Sequence, residues 1–255
     1  MRTVVVAMQK GGSGKTTTAV NLAATLAETG KRILLVDVDP QANATSWYAV
    51  RNVGKGIFAC LCENTCIDAI ITHTSTARVD VAPASTWLVG AERTLAAEVG
   101  AEMLLRRRLR DVVDRYDVAL IDTPPTLGIL TVAALVAADQ VLVPVAAHVL
   151  ALNGLAQLMD TIATVRDRLN DRLDMLGIVP YRLDSRTRHG PEVVAELHKR
   201  FPVETFATAI RENIRLAEAP SFGQPITGYD TKSTGAVDYR ALAREVLTRW
   251  GEGKA

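Results

Sequence analysis

Short apolar runs and apolar residues at helical spacing take turns along the chain. Val4 to Met8, Ile33 to Val36, Val79 to Ala82, Val118 to Ile121, Val141 to Val145, Met175 to Tyr181 and Thr205 to Ile210 read as buried strands, the first beginning at residue 3. Between them the period changes. Ala19, Leu22, Ala23 and Leu26 recur at helical spacing behind Lys15. Leu88, Ala91, Leu95 and Val99 form one stripe of a helix over Thr86 to Val99, with Gly100 as its C-cap. Alternating strands and helices give parallel crossovers. The pattern predicts an α/β fold, a mostly parallel twisted sheet of about seven or eight strands with helices on both faces.

The longest apolar stretch, Leu127 to Leu152, is broken by Asp139, Gln140, Pro144 and His148. A membrane span needs about 20 uninterrupted apolar residues. The stretch instead reads as a helix over Gly128 to Ala138, a strand over Val141 to Val145, and a helix starting near Leu150. With 255 residues, 48% of them hydrophobic, the chain can bury one substantial core. No repeat, low-complexity tract or Pro/Gly/Ser-rich linker divides it, so one domain over residues 1–255 is expected. Met1 to Met8 runs straight into a glycine-rich loop, so neither a signal peptide nor an N-terminal helix-turn-helix domain is expected.

That loop, Lys10-Gly11-Gly12-Ser13-Gly14-Lys15-Thr16-Thr17, lies between the first strand and the first helix. Gly11, Gly12 and Gly14 let the backbone turn its N–H groups inward around phosphate oxygens. Lys15 would reach the β- and γ-phosphates, the Thr16 hydroxyl would ligate Mg²⁺, and the helix opening at Lys15 would point its positive end at the anion. A glycine-rich turn without a ligand would have no need of the Gly-Lys-Thr-Thr ending. Lys10 is surplus to this scheme, because Lys15 already serves the terminal phosphates. It should reach a different nucleotide.

At this point the chain resembles the deviant Walker A ATPases of the ParA/MinD class, whose K-G-G-x-G-K-T-T signature is matched at Lys10 to Thr17. The resemblance implies that Lys10 reaches across a nucleotide-sandwich homodimer to the partner's ATP, in the manner of an arginine finger. Asp37-Val38-Asp39-Pro40-Gln41 is similar to the family's D-x-D-P-Q segment, which implies that Asp39 positions the attacking water and that Asp37 lies near the metal. Val118 to Pro125 resembles the Walker B strand, which implies that Asp122 holds Mg²⁺ through water. ATP and Mg²⁺ are the implied cofactors.

Net charge is +1, so DNA binding would have to come from a local patch. The candidate lies between residues 182 and 215, where Arg182, Arg186, Arg188, His189, Lys199, Arg200, Arg211 and Arg215 are diluted by Asp184, Glu192, Glu196, Glu204 and Glu212. Composition alone reads this as a solvated mixed-charge surface. Asp184 to Arg188 and Asn213 to Ser221 also resemble the family's D-A-R-T-x and N-V-R-L-S-E-A-P-S segments. That resemblance implies that Arg186 and Arg215 bind DNA phosphates without sequence preference once ATP has closed the dimer. It further implies that Pro220, Ser221 and Gly223 pack near the adenine ring, beside the strand end at Val179 to Arg182. Pro180 lacks the N–H that many relatives present there.

Two departures from the family bear on dimer contacts or partner coupling more than on nucleotide binding. Thr131 to Leu135 has Ala133 where an asparagine is common, and Asn153 stands where a glutamate is frequent. The run Arg106-Arg107-Arg108 with Arg110 is backed by Leu105, Leu109, Val112 and Val113, which reads as an amphipathic surface helix. Cys60, Cys62 and Cys66 have no usual zinc spacing and interleave with Ile57, Phe58, Leu61 and Ile67 like core positions; no cysteine follows Cys66, unlike the nitrogenase iron proteins.

The expected function is that of a ParA-like DNA-partition ATPase, cytoplasmic and nucleoid-associated. Its partners would be itself, nonspecific double-stranded DNA and a ParB-type centromere-binding protein or cargo adaptor. Its cargo would be a chromosome or a plasmid. Three alternatives stand beside it: a positioning ATPase for a protein cargo such as a carboxysome, a MinD-like membrane-cycling ATPase, and an amidoligase-like enzyme. The membrane alternative needs a lipid-binding tail, but Tyr239 to Leu247 resembles the ParA family's last folded helix and only five residues follow Trp250. The amidoligase would need a second substrate site.

Overall fold

Along the first strand Val4 and Val6 face one hydrophobic core while Val5 and Ala7 face the other. This is the two-residue period of a strand buried on both faces. The computed structural model describes residues 1–51, 53–146, 151–184 and 189–252. Its elements are β1 (Arg2–Val6), α1 (Lys15–Glu28), β2 (Ile33–Asp37), α2 (Asn43–Trp47), α3 (Ile57–Cys62), β3 (Thr72–His73), β4 (Val79–Ala82), α4 (Leu88–Leu95), α5 (Leu104–Arg110), β5 (Val118–Asp122), α6 (Ile129–Ala137), β6 (Gln140–Ala146), α7 (Ala151–Arg168), β7 (Asp174–Leu183), α8 (His189–Arg200), β8 (Ile210–Arg211), α9 (Ile214–Glu218), α10 (Ile226–Tyr229) and α11 (Thr234–Arg249).

The strands form one eight-stranded sheet in the order β3-β4-β2-β5-β1-β6-β7-β8. Only β3 runs antiparallel, at the edge against β4. Helices α1, α2, α9, α10 and α11 cover one face, and α3 to α8 cover the other. This is the fold that the alternating pattern predicts. The chain reverses direction of travel across the sheet around β1, so a crevice opens at the carboxyl ends of β1, β2 and β5, where open α/β sheets hold ligands.

Two segments differ from expectation. The helix over Thr86 to Val99 stops at Leu95, and Val99 is fully exposed while Ala101 is buried. Short turns such as Glu98 N to Leu95 O (3.0 Å) replace the helical ladder, and Gly100 takes a left-handed φ of 77° and leads into a 3₁₀ turn instead of capping the helix. The strand expected over Thr205 to Ile210 is reduced to a single bridge between Thr205 and Ile178 followed by the two-residue β8. The Glu245 carboxylate on α11 explains the gap. It accepts from the Ala207 and Thr208 N–H groups (2.9 and 3.0 Å) and takes them out of the ladder.

On the last helix Tyr239, Leu242 and Val246 are fully buried against α1, with the Tyr239 hydroxyl 3.4 Å from that of Thr18. Among the described residues no helix is long and apolar enough to cross a membrane. Of the three thiols Cys60 is buried, Cys62 half-buried and Cys66 exposed, so the core reading holds for Cys60 alone.

Candidate active site

The glycine-rich loop joins β1 to α1, and Gly14 is the hinge between loop and helix. Its φ is 92°, a left-handed conformation open to glycine. A Cβ on Gly14 would also lie 2.6 Å from the Tyr181 ring, so the position excludes side chains twice over. No side chain caps the first turn of α1, and no acidic residue lies in it. Its leading N–H groups have no partner inside the helix and are available to an anion. Lys15 is buried and its Nζ donates to the Lys10 carbonyl (3.2 Å). Burial lowers the pKa of its ammonium group, and the carboxylates of Asp122 and Asp39 act in the opposite direction. Lys10 sits half-buried on the outer part of the loop, while Gly11 and Gly12 are exposed.

The acids arrive on strand ends. Asp37 ends β2, Asp122 ends β5, and the two are direct partners in the sheet register, with Val6 of β1 on the other side of Asp122. Both are fully buried. Asp37 is hydrogen-bonded at both oxygens: Oδ1 accepts from Asp39 N (3.1 Å), and Oδ2 accepts from the N–H and hydroxyl of Thr45 (2.9 and 2.7 Å). The Thr45 hydroxyl in turn accepts from Ala84 N (2.9 Å), which ties β2, α2 and the end of β4 together. Burial nevertheless raises Asp37 to about 6. Asp39 is buried and accepts from Gln41 N (2.9 Å).

Neither oxygen of Asp122 completes a hydrogen bond, and the buried Ser13 hydroxyl and Gln9 Oε1 are likewise unpaired. Burial, then the neighbouring Asp37, push Asp122 well above the usual carboxylate range; Thr16 and Lys15 pull it back. A buried carboxylate without a partner is costly unless a cation comes to it. Hard oxygen donors, a carboxylate with a threonine hydroxyl beside it, suit Mg²⁺. The residues present therefore fit a metal-bound nucleotide phosphate.

A cleft of about 720 Å³ extends from Thr17 between the end of β7 and the segment Glu212 to Pro220. Tyr181 and Trp47 line it, and neither was singled out by the sequence motifs. At the end of β7 the register with β8 shifts between Tyr181 and Leu183, and Arg182 takes a φ of 55°. Such a bulge re-aims side chains near a site. Of the three residues expected at the adenine, Pro220 lines this cleft. Ser221 and Gly223 line a separate cavity of about 340 Å³ with Ala49 and Phe222.

The described arginines of the basic segment face carboxylates. Arg182 pairs with Glu212 (2.9 Å), Arg200 with Glu196, Arg211 with the buried Asp238, and Arg215 with Glu218 (2.9 Å). Arg215 is exposed near the start of α9, whose first turn is capped by the Asn213 side chain accepting from Arg215 N (2.7 Å). Arg186 and Arg188 lie outside the described residues.

Comparison with known proteins agrees with this geometry. Residues 1–175 match the family described as an AAA domain. The chain is 44% identical over 245 residues to the sporulation initiation inhibitor protein Soj of Bacillus subtilis, covering 95% of this chain and 97% of that one. It is 46% identical over 249 residues to the chromosome-partitioning ATPase Soj of Thermus thermophilus, covering 98% and 96%. Among solved structures it is similar to one described as cobyrinic acid a,c-diamide synthase from Mycobacterium smegmatis with bound ADP and magnesium, at 34% identity and a TM-score of 0.88, covering 100% and 97%. With near full-length identity of this order, a two-lysine loop and two acids in register at the strand ends, the chain belongs to the ParA/Soj/MinD family of deviant Walker A P-loop ATPases.

Proposed function

We propose that the protein is a ParA-type partition ATPase that hydrolyses Mg–ATP and uses the nucleotide state to switch its grip on DNA. The observation that carries the reading is Asp122, a fully buried carboxylate with two unpaired oxygens beside Lys15 and Thr16 at the mouth of the phosphate loop. The N–H groups from Gly11 to Thr17 surround the phosphates, and Lys15 neutralises the terminal ones. Thr16 and, through water, Asp122 would hold Mg²⁺, which would supply Lewis-acid polarisation of the transferring phosphoryl group. Asp37 lies behind it, fixing the Asp39 backbone so that the Asp39 carboxylate can orient a water. Pro220 walls the cleft at the end where the base would lie, and Ser221 and Gly223 follow it in the chain and line the neighbouring cavity.

In this reading Lys10 completes the site of a partner copy, so ATP closes a homodimer. The dimer presents Arg215 and Arg186 to nonspecific double-stranded DNA. Hydrolysis, stimulated by a ParB-type partner or cargo adaptor, releases it and so segregates a chromosome or plasmid in the cytoplasm. The support is the near full-length likeness to a chromosome-partitioning ATPase, together with the placement of Arg215 on the segment that walls the nucleotide cleft.

The test is binding to duplex DNA of arbitrary sequence without nucleotide, with Mg–ADP and with Mg–ATP, over a salt series. The reading expects binding far tighter with ATP than with ADP or without nucleotide, and a log–log salt slope that grows by about 0.9 per neutralised phosphate. No binding in any state would remove DNA as the partner. The Mycobacterium smegmatis description raises a second reading, amide formation on cobyrinic acid, which the same phosphate site would serve. ATP turnover that requires cobyrinic acid and ammonia would establish it.

A further inference from the structure

Asn21 lies on the second turn of α1, fully buried, with both ends of its amide engaged. Nδ2 donates to the Thr17 carbonyl (2.7 Å) and Oδ1 accepts from the Ile226 N–H (2.7 Å). A carbonyl at one end and an N–H at the other fix the amide's orientation. Thr17 closes the glycine-rich signature and lines the nucleotide cleft; Ile226 opens α10.

Helix α10 leads within three residues to the groups that hold Arg215. The Tyr229 hydroxyl donates to Glu218 Oε2 (3.0 Å), the same oxygen that accepts from Arg215 Nη1 (2.9 Å), and Asp230 Oδ2 lies 3.8 Å from Arg215 Nε. A continuous chain of polar contacts therefore runs from the phosphate loop through Asn21 and α10 to the Arg215 guanidinium. Asparagine is a poor residue for a helix interior, and here its side chain spans two elements 205 residues apart in sequence. Physical contiguity of this kind couples two sites only when both bias one element with two arrangements. The element that touches both sites here is α10, through Asn21 at Ile226 and through Tyr229 at the Glu218–Arg215 pair.

We propose that Asn21 is a positioning residue that couples nucleotide occupancy at Thr17 to Arg215, shifting the arginine between its carboxylate partners and a DNA phosphate. The inference rests on the DNA reading above, and α10 supplies a readout free of it. Coupling free energy is reciprocal, so DNA must tighten ATP binding by the same factor as ATP tightens DNA binding.

The experiment compares the wild-type protein with Asn21→Ala and Glu218→Gln. DNA affinity is measured with Mg–ADP and with Mg–ATP, and amide hydrogen exchange of residues 224–230 is followed with and without Mg–ATP. Asn21→Ala should bind Mg–ATP within about threefold of wild type, while its ATP-to-ADP ratio of DNA affinities falls to within about twofold of one and α10 loses its exchange response to nucleotide. Glu218→Gln, at the surface, should raise nucleotide-free DNA affinity about twofold to fivefold, the range a single exposed ion pair supports. If wild type binds no DNA in any state, the DNA reading has failed, and the α10 exchange response alone decides the coupling. An Asn21→Ala protein that keeps the wild-type nucleotide response, a wild-type α10 blind to nucleotide, or a Glu218→Gln protein with unchanged DNA affinity in every nucleotide state overturns the proposal.

Discussion

Asp37 and Asp122 are neighbours in register on β2 and β5, equally buried, yet Asp37 is hydrogen-bonded at both oxygens and Asp122 at neither. One acid is part of the scaffold and the other is left open for a ligand. The phosphate site thus separates a residue that holds the backbone from one whose oxygens are left open, although both sit at equivalent strand ends.

The scaffold acid makes stability depend on pH. Burial raises Asp37 to about 6, above the ordinary value near 3.8. The folded state therefore holds this proton more tightly than the unfolded state, and the contribution is full at low pH and lost as pH rises through about 6. Relative to Asp37→Asn, the nucleotide-free wild type should lose up to about 3 kcal/mol of stability between pH 4 and pH 7. Urea unfolding of both proteins at several pH values measures the difference. A pH-independent difference would remove the assigned shift.

The open acid behaves differently. Asp122→Asn removes a buried carboxyl whose ionised form is disfavoured by burial and by the neighbouring Asp37, so the nucleotide-free protein should melt higher than wild type. The same change should abolish the gain in Tm that Mg–ATP gives over ATP with a chelator, and lower hydrolysis on the order of 100-fold or more. Scanning calorimetry with and without Mg²⁺ checks both halves. A variant that keeps the Mg²⁺-dependent gain would mean that Asp122 does not hold the metal.

Much of this site was legible because its parts are local. Each strand delivers its acid at its own carboxyl end, and the glycine-rich loop follows its strand directly. Tyr181 was not legible: it meets Gly14 only after β7 has paired with β6 and β6 with β1, and no spacing in Pro180-Tyr181-Arg182 announces that approach. The broken strand at Thr205 to Ile210 has the same origin. Its N–H groups are taken by Glu245, a side chain some forty residues away whose role appears only when α11 packs down. The helix over Thr86 to Val99 was overextended because an apolar stripe continued to Val99, while the ladder of hydrogen bonds stopped at Leu95.

Gly14 is held by backbone and by neighbour at once. Gly14→Ala should weaken ATP binding by at least tenfold, since the left-handed φ costs about 1–2 kcal/mol and the Tyr181 ring must also move. Tyr181→Ala in the same chain should restore part of the affinity and no more, because it relieves the contact and leaves the φ. Nucleotide titration of the single and double variants separates the two terms. Complete recovery would show that the ring alone sets the requirement.

The three functional side chains around the loop should fail in different ways. Lys15→Ala should abolish ATP binding. Lys10→Ala should keep most of the binding and lose hydrolysis, because in the proposed reading its target is a partner's nucleotide. Asp39→Ala should bind ATP, stop hydrolysing it, and persist as a DNA-bound dimer. Nucleotide binding, steady-state phosphate release and sedimentation with DNA distinguish the three. Normal hydrolysis by Asp39→Ala would remove its role in orienting the water.

Arg215 sits beside Glu218, and within 4 Å of Asp230, so in this structure its charge is already shared. In the proposed reading DNA must compete for it. Surface ion pairs of this kind are worth about 0–1 kcal/mol and weaken with salt, whereas a phosphate contact releases counterions and draws on the whole field of the duplex. The competition is close enough for nucleotide to tip it. Arg215→Glu should keep ATP-dependent dimerisation and hydrolysis without DNA, and should lose DNA binding outright, because it turns an attraction at each protomer into a repulsion. Arg215→Ala should show the smaller loss, with a salt slope reduced by about 0.9 for each contact removed, or about twice that in a symmetric dimer. Light scattering for the dimer, together with a salt series for DNA, tests both. Unchanged affinity in Arg215→Glu would leave Arg215 a surface charge and move the DNA contact elsewhere on the dimer.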